Sequence, residues 1–249
     1  MALNTEKNVY TVLFAALMVI AVGSVLAFVA SGLSEKIAEN ERFEKQQNIL
    51  YAMGVNENAN EGSVSFVPTT VVEVEFQKYI TEQWVIKGEE RTQNEEAYLI
   101  DLKKEMAAAK KGQTPRLPVF IGEKDGKKYH ILPMYGKGLW DAIWGFISVD
   151  ENMVVQGVYF DHKAETPGLG ANIKQRYFMD DFIGESLLDG SRYSGVSVAK
   201  GNNDPLNQRK DDNAVDALAG ATITGNGVSA MIRESVNLYK DYLETIREN

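Results

Sequence analysis

An uncharged apolar run near the amino terminus, Val9 to Ala30, is the feature that most restricts how this chain can fold. At about 1.5 Å per residue, a helix of that length would cross the ~30 Å hydrocarbon layer of a bilayer. A cleaved signal peptide is the alternative, but its apolar region is normally only about 7–15 residues long. The passable cleavage site, Val25-Leu26-Ala27, lies inside the run, and the only charged residues before it are Glu6 and Lys7. We therefore predict a single uncleaved membrane span.

The rest of the chain is predicted to form one domain behind that span. Residues 1–8 would form a short amino terminus and residues 9–30 the transmembrane helix. A charged helical stretch over residues 31–55, ended by Gly54, is interpreted as a stalk. Residues 56–249 would then form the folded domain. The charge difference across the span is too small to orient it, so the side of the membrane stays open at this point.

Composition excludes some classes of function. The formal net charge of −9 argues against nucleic acid as a partner, because neutralising phosphates requires a basic surface. The chain has no cysteine, so it holds no thiolate-bound iron–sulfur cluster, cysteine-ligated zinc or disulfide. Its two histidines, His130 and His162, are far apart and lack a ligand-like spacing. No metal site is predicted.

The pattern of apolar residues predicts an α+β domain made of antiparallel β-hairpins with segregated helices. Lys124-Asp125-Gly126 separates two strand-like runs and indicates a hairpin turn. The predicted strands cover residues 71–76, 117–123, 127–134, 143–150, 154–162 and 193–199. The predicted helices cover residues 95–111, 171–185 and 226–247, the last with one apolar face at three- and four-residue steps.

The segment Ala219-Gly220-Ala221-Thr222-Ile223-Thr224-Gly225 combines small residues, two hydroxyl groups and a predicted helix start. Helix N-termini present unpaired N–H groups and a partial positive charge, so a phosphate is favoured there. The simpler interpretation is a threonine helix cap after an ordinary loop. The segment therefore predicts either a phosphate site or a capped turn.

Two further segments place glycine where a ligand can approach the backbone. In Glu165-Thr166-Pro167-Gly168-Leu169-Gly170, Pro followed by Gly favours a type II turn. Taken singly, such a turn is more often structural, yet this one would offer a hydroxyl, N–H groups and an apolar side chain to a ring. In Tyr135-Gly136-Lys137-Gly138-Leu139-Trp140, the indole ring either lines a cofactor or fills the core. The Gly-x-Gly here lacks the third glycine and the strand–helix setting of a dinucleotide fingerprint.

In this order, and behind an amino-terminal span, the three segments resemble those of the C subunit of the sodium-translocating NADH:quinone reductases. The resemblance covers nearly the whole chain, least securely residues 56–115. It implies FMN esterified through its phosphate to a threonine, here Thr224. Ala219 departs from the Ser or Thr that family members usually carry, which affects recognition more than chemistry. The cofactor contacts expected on this basis are Leu139, Trp140, Thr166, Gly168, Leu169, Gly170, Gly220, Ala221 and Thr222.

The resemblance also implies partners. A flavin transferase would take the FMN moiety from FAD and attach it, recognising Asp216, Gly220 and Ala221. Capping of a loop is the alternative role for Asp216. The mature chain would carry covalent FMN within a multi-subunit membrane complex that oxidises NADH, reduces ubiquinone and exports sodium. It would pass electrons between the redox centres of that complex towards quinone.

The implied location is the inner (cytoplasmic) membrane of a bacterium, crossed once. Residues 1–8 would then be cytoplasmic and the carboxyl-terminal domain periplasmic.

Three alternatives remain at the level of sequence. The G subunit of the Rnf electron-transport complexes, which act between ferredoxin and NAD, shares the anchor and the last two segments. The extended stretch over residues 56–115 favours the quinone reductase family, because the relative is usually shorter there. A membrane-anchored module that binds FMN noncovalently or acts as a sensor is a different class, and a purely structural membrane anchor is the simplest.

Overall fold

The computed structural model describes residues 8–58 and 62–247. Most of the predicted cytoplasmic terminus, residues 1–7, lies outside the described residues. The helices are α1 (Asn8–Ala52), α2 (Val72–Tyr79), α3 (Leu102–Ala109), α4 (Arg176–Asp180), α5 (Thr222–Leu238) and α6 (Lys240–Arg247). The long strands are β1 (Ile80–Lys87), β2 (Glu90–Gln93), β3 (Leu117–Lys124), β4 (Lys127–Lys137), β5 (Ala142–Val149) and β6 (Val155–His162). The short strands are β7 (Leu188–Asp189), β8 (Arg192–Tyr193), β9 (Ser197–Val198) and β10 (Ala214–Val215).

The chain divides into two compact units, Met1–Arg42 and Phe43–Asn249. Within the first, the apolar run is helical, as predicted. Among the described residues, α1 is the one helix long and apolar enough to cross a membrane, and none of its most apolar window is buried. Phe28, for example, is 81% exposed, which argues against a core helix of a soluble protein.

The carboxyl-terminal turns of α1 belong to the second unit. Ile49, Leu50 and Ala52 are fully buried, and the carbonyl of Ala52 lies where a Cβ on Gly157 would come within 2.4 Å. Gly54 caps the end of α1, as predicted, in a Schellman motif. Gly54 has φ +76°, its N–H donates to Tyr51, and the N–H of Val55 donates to Leu50. The second compact unit therefore begins at Phe43, within the stretch predicted as a stalk.

A six-stranded antiparallel sheet, in the order β2-β1-β3-β4-β5-β6, forms the centre of the second unit. The predicted hairpin at Lys124-Asp125-Gly126 is confirmed, and the predicted strands 143–150 and 154–162 pair as a second hairpin, β5–β6. Asp125 and Gly126 have φ of 55° and 72° between the paired Lys124 and Lys127, which is the two-residue turn that matches strand twist. Strands β1 and β2 were not predicted, because their residues alternate poorly between apolar and polar. The α+β fold class is correct.

Several local predictions differ from the structure, among them the predicted helix 95–111, which is a 3₁₀ turn at Ala97–Leu99 followed by α3. Residues 71–76 were predicted as a strand, but residues 72–76 lie in α2, where Val72 and Phe76 are buried one helical turn apart and Val74 is 66% exposed. The four-residue spacing of Val72 and Phe76 fits one face of a helix as well as one face of a strand. The predicted strand 193–199 is split into β8 and β9 around Gly195, which has φ +73°. The predicted helix 171–185 contains only a 3₁₀ turn, Gly170–Lys174, and α4.

The predicted carboxyl-terminal helix is two helices that begin earlier than expected. Helix α5 starts at Thr222, four positions before Asn226, and the chain bends at Tyr239 before α6. The predicted apolar face is buried, with Val228, Ile232 and Val236 at most 1% exposed. The hydroxyl of Tyr239 donates to the carbonyl of Pro118 at 2.9 Å, which fixes α5 to β3. Its burial raises the pKa of the Tyr239 hydroxyl.

Substitution of Leu50 by Ala tests the assignment of the end of α1 to the core. The side chain is fully buried, so its truncation should lower the free energy of unfolding by about 2–5 kcal/mol. Urea denaturation of a fragment beginning at Phe43 measures this. The control, Val74→Ala, removes an exposed side chain and should change stability by less than about 0.5 kcal/mol. Equal effects of the two substitutions would contradict the assignment.

Acid should destabilise the fold through His130. This residue is 7% exposed and its Nδ1 lies 2.7 Å from the hydroxyl of Tyr242. Burial, with a smaller effect of Lys128, lowers the His130 pKa from 6.5 to about 4. Between those values the unfolded chain binds more protons, so stability is complete above about pH 6.5 and falls as the pH drops towards 4, by up to about 3 kcal/mol.

The measurement compares the wild type with His130→Gln over that pH range. Burial raises the Glu185 pKa to about 7, which gives a pH effect of the opposite sign in both proteins. The difference between the two profiles therefore isolates the histidine. The variant should lack the acid-induced loss, and parallel profiles would show that His130 does not titrate in this way.

Candidate functional site

The fold brings the three glycine-containing segments together at one place. The hydroxyl of Thr224 donates to Oε2 of Glu165 at 2.5 Å, across a separation of 59 residues in the chain. The backbone N–H of Trp140 donates to Oε1 of the same carboxylate at 2.9 Å. The indole N–H of Trp140 donates to the Thr166 hydroxyl at 3.1 Å. We refer to residues 138–140, 165–170 and 219–225 as the three-segment site.

The loop over residues 165–170 follows β6 and forms the predicted turn. The N–H of Leu169 donates to the carbonyl of Thr166 at 3.1 Å, and Gly168 between them has φ +77°. This positive φ after proline is the type II geometry. Thr166 and Leu169 are exposed, the latter by 42%. The turn therefore presents a hydroxyl and an apolar side chain to the outside of the site.

The two threonines at the start of α5 have opposite environments. Ala221 is the N-cap residue and Thr222 the first helical residue, with an exposed side chain. Thr224 is turned inwards and is only 1% exposed. The difference follows from the helical repeat, since residues two apart on a helix point in very different directions. The predicted acceptor Thr224 is thus buried and hydrogen-bonded, whereas Thr222 is open.

Gly220 allows the second and third segments to touch. It has φ +68°, which favours glycine, and a Cβ there would lie 2.7 Å from Cδ2 of Leu169. Leu169 therefore packs directly over the backbone that leads into α5. Ile223 on the next turn is 57% exposed, so the apolar surface continues beyond Leu169.

Trp140 is not a core residue. Its side chain is 65% exposed, and the preceding Leu139 is 42% exposed. Of the two interpretations left open by the sequence, packing in the interior is therefore wrong. A cavity of about 480 Å³ lies beside the ring, with Tyr135, Lys137 and Met231 among its walls. An exposed aromatic ring, held by an indole hydrogen bond, is available to stack on a ligand.

Asp216 lies before the third segment and holds a neighbouring loop. Its Oδ1 accepts the backbone N–H groups of Asn203 at 2.8 Å and Asp204 at 3.2 Å. These bonds match the loop-capping role that the sequence left open. The side chain remains partly exposed, so another protein can also contact it.

Glu165 is the residue of the site that the sequence did not assign as functional. It is part of the second segment but was not among the predicted contacts. The sequence shows only an ionisable residue between a predicted strand and a glycine-rich loop. This pattern does not indicate whether the side chain is buried. The backbone N–H of Glu165 donates to Nδ1 of His162 at 3.2 Å, and burial lowers the His162 pKa.

In the described part of the chain no group of three or more His, Cys, Asp or Glu could hold a metal, so no metal site is assigned there.

Comparison with known proteins places the chain in a family. Residues 138–237 match the FMN-binding domain family, and that range includes all three segments. The crystal structure of the C subunit of Na(+)-translocating NADH-quinone reductase from Parabacteroides distasonis is 30% identical. It aligns over 85% of this chain and 96% of its own, with a TM-score of 0.70. The chain belongs to this family of C subunits.

Other members are less similar in sequence but align over most of both chains. The C subunit of the Yersinia pestis reductase is 26% identical over 98% of this chain and 95% of its own. That of Pseudomonas aeruginosa is 29% identical over 92% and 91%. The crystal structure of Shewanella oneidensis NqrC, 23% identical with a TM-score of 0.62, supports the fold alone. The family expected from the three segments is confirmed, and the Rnf-type alternative is not favoured.

Gly170→Ala tests how tightly the site is packed. A Cβ at this position would lie 2.5 Å from both Oε2 of Glu165 and Oγ1 of Thr224, so the substitution should force the loop away from α5. We expect a loss of about 1–3 kcal/mol in the free energy of unfolding of a fragment beginning at Phe43. Gly201→Ala is the control, because a Cβ there meets nothing within 4 Å. A neutral effect at both positions would mean that the loop is free to relax.

Proposed function

We propose that this chain is the membrane-anchored, FMN-carrying electron-transfer subunit of a sodium-pumping NADH:quinone oxidoreductase. Its membership of the family of C subunits and the match to the FMN-binding domain support this assignment. The single observation that carries it is the convergence of the three segments, joined by Glu165, within the matched range. The apolar α1 supports the anchor. As in the relatives named above, the subunit would work within a larger complex.

The residues of the site fit FMN. Backbone N–H groups at the start of α5 and the positive end of that helix suit its phosphate, near Gly220, Ala221 and Thr222. An exposed apolar and aromatic surface beside a hydroxyl suits the ring and its polar edge. The residues proposed to contact the flavin are Leu139, Trp140, Thr166, Gly168, Leu169 and Gly170. The bound flavin supplies the redox chemistry, and the chain supplies its position and electrostatic surroundings.

The structure favours Thr222, not the predicted Thr224, as the residue that carries the flavin. A transferase must bring the phosphorus of its donor within bonding distance of the acceptor hydroxyl. Thr222 is exposed at the first position of α5, whereas Thr224 is 1% exposed and already donates to Glu165. Modification of Thr224 would break that bond and place a phosphate in a buried region beside a carboxylate, which is electrostatically unfavourable. The burial of Thr224 thus supports a revision of the assignment by two residues.

The proposed attachment uses FAD as donor. The Thr222 oxygen would bond to the phosphorus on the FMN side of the pyrophosphate, and the bond from that phosphorus to the bridging oxygen would break. AMP is the leaving group, and the hydroxyl proton passes to a base of the transferase. Asp216, Gly220 and Ala221 are the residues proposed to be recognised. Gly220 and its neighbour Ala219 are exposed, so an enzyme can reach the segment.

A covalent link suits a carrier whose site is open. The apolar residues around the site are 42–65% exposed, so noncovalent binding would leave much of the flavin in contact with water. A tether keeps the local concentration of the cofactor high without requiring an enclosed pocket. The open surface then leaves the flavin accessible to electron donors and acceptors.

Membership of the family supports a location in the bacterial inner membrane. We propose that α1 crosses the inner membrane once, with residues 1–8 in the cytoplasm and the three-segment site on the periplasmic side. Electrons derived from NADH would reach the flavin through other subunits of the complex and continue towards quinone.

The attachment site is tested by intact mass. The full chain is produced with a flavin transferase as wild type, Thr222→Ala and Thr224→Ala. We expect an FMN-sized increment on the wild type and on Thr224→Ala, and none on Thr222→Ala. The increment should survive denaturation in acid, because a covalent flavin stays with the chain and a noncovalent one leaves.

The controls separate the alternatives. Thr222→Ser retains a hydroxyl at the exposed position and should be modified. An increment lost only in Thr224→Ala would restore the assignment expected from the sequence. Absence of any increment on matured wild-type protein would contradict covalent flavin binding and favour a noncovalent FMN-binding or sensor module.

A further inference from the structure

A buried carboxylate lies beneath the exposed surface proposed to hold the flavin. Glu165 is 4% exposed, although the residues that follow it, 166–169, are all exposed. Carboxylates are rarely buried unless hydrogen bonds or opposite charges replace their hydration. The groups around Glu165 must therefore compensate for the loss of its hydration.

The two oxygens of Glu165 bind two different segments. Oε2 accepts the hydroxyl of Thr224 on α5, and Oε1 accepts the backbone N–H of Trp140. Glu165 itself belongs to the loop that carries Thr166 and Leu169. One side chain thus links the three parts of the chain that would surround the flavin, through bonds to an anionic acceptor, which are stronger than those between neutral groups.

Glycines keep the carboxylate in this position. A Cβ on Gly138 would come within 2.5 Å of Oε1, and a Cβ on Gly170 would come within 2.5 Å of Oε2. The first and second segments therefore press against both sides of the carboxylate. Glu165 has little room to take another rotamer, so the bonds to Trp140 and Thr224 define its location.

The carboxylate also lies at the positive end of α5. Thr224, its hydrogen-bond donor, is the third residue of a helix that runs for 17 residues from Thr222. The partial positive charge of a helix N-terminus stabilises a nearby anion. The same helix end would receive the phosphate on Thr222, so two negative charges share one electrostatic environment.

We propose that Glu165 is a positioning residue for the flavin and that its charge lowers the reduction potential of the bound cofactor. This inference rests on the proposed function. The bonds to Trp140 and Thr224 fix the ring-contacting residues relative to the attachment point. The buried negative charge beneath the ring opposes the addition of electrons, because Coulomb interactions are strong where water is excluded.

The experiment uses full-length chain matured with a flavin transferase and purified in detergent. Glu165→Gln keeps the shape of the side chain and removes its charge. Thr224→Val removes the hydroxyl donor, and Thr224→Ser restores it. Glu244→Gln is the matched control, since this carboxylate lies on α6, outside the cavity beside Trp140, with a side chain that is 47% exposed. Intact mass gives the flavin content, visible circular dichroism reports how rigidly the ring is held, and a redox titration gives the midpoint potential.

We expect Glu165→Gln to keep at least half of the wild-type flavin content, to lose most of the visible circular dichroism, and to have a more positive midpoint potential. Thr224→Val should also lose most of the dichroism, and Thr224→Ser and Glu244→Gln should match the wild type. The rescue by serine separates a positioning role from a general loss of fold.

Wild-type dichroism and potential in a loaded Glu165→Gln protein would overturn the inference while leaving the proposed function intact. If Glu165→Gln does not fold, Thr224→Val decides: wild-type dichroism there overturns the positioning role. A wild type that carries no flavin would instead overturn the proposed function, and the inference with it.

Discussion

The close packing of α5 on the end of β4 determines where the functional site can form. A Cβ on Gly227 would come within 2.5 Å of the carbonyl oxygen of Lys137, and a Cβ on Gly136 within 2.7 Å of Cβ of Met231. Backbones this close fix both the position and the rotation of the helix. Because rotation decides which threonine faces outwards, the chemistry of the site depends on this contact between helix and strand.

Signals in the sequence that act over a few residues predicted the fold well. The Asp125-Gly126 turn, the glycine at the end of α1 and the apolar run of that helix each depend on local geometry, and each is found in the structure. The errors arose where packing with distant residues decides. Val72 and Phe76 fit a strand or a helix equally well by spacing, and their burial in α2 depends on the rest of the core. The packing of residues 43–52 in the core of the domain could not be predicted either, because their apolar stretch is short and follows charged residues.

The site shows the same division. The segments that carry it could be recognised from residue types and order, and the family comparison agrees with that recognition. The burial and the hydrogen bonds of each side chain within them could not be predicted. The start of α5 at Thr222, and therefore the exposure of one threonine and the burial of the next, depends on where the helix begins. The proposed role of Glu165 rests on a contact between residues 59 positions apart in the chain, which no local pattern reveals.

The glycines around Glu165 divide the site into a frame that cannot change and a surface that can. At Gly138, Gly170 and Gly227, any larger residue would strike a buried carboxylate or another backbone, neither of which can move aside cheaply. Leu139, Leu169 and Ile223 point away from those contacts and are exposed. Substitutions at these three positions would therefore change the surface offered to the flavin and to neighbouring proteins without altering the spacing beneath them. A relative that works in a different complex would therefore differ at these exposed side chains and keep the glycines beneath them.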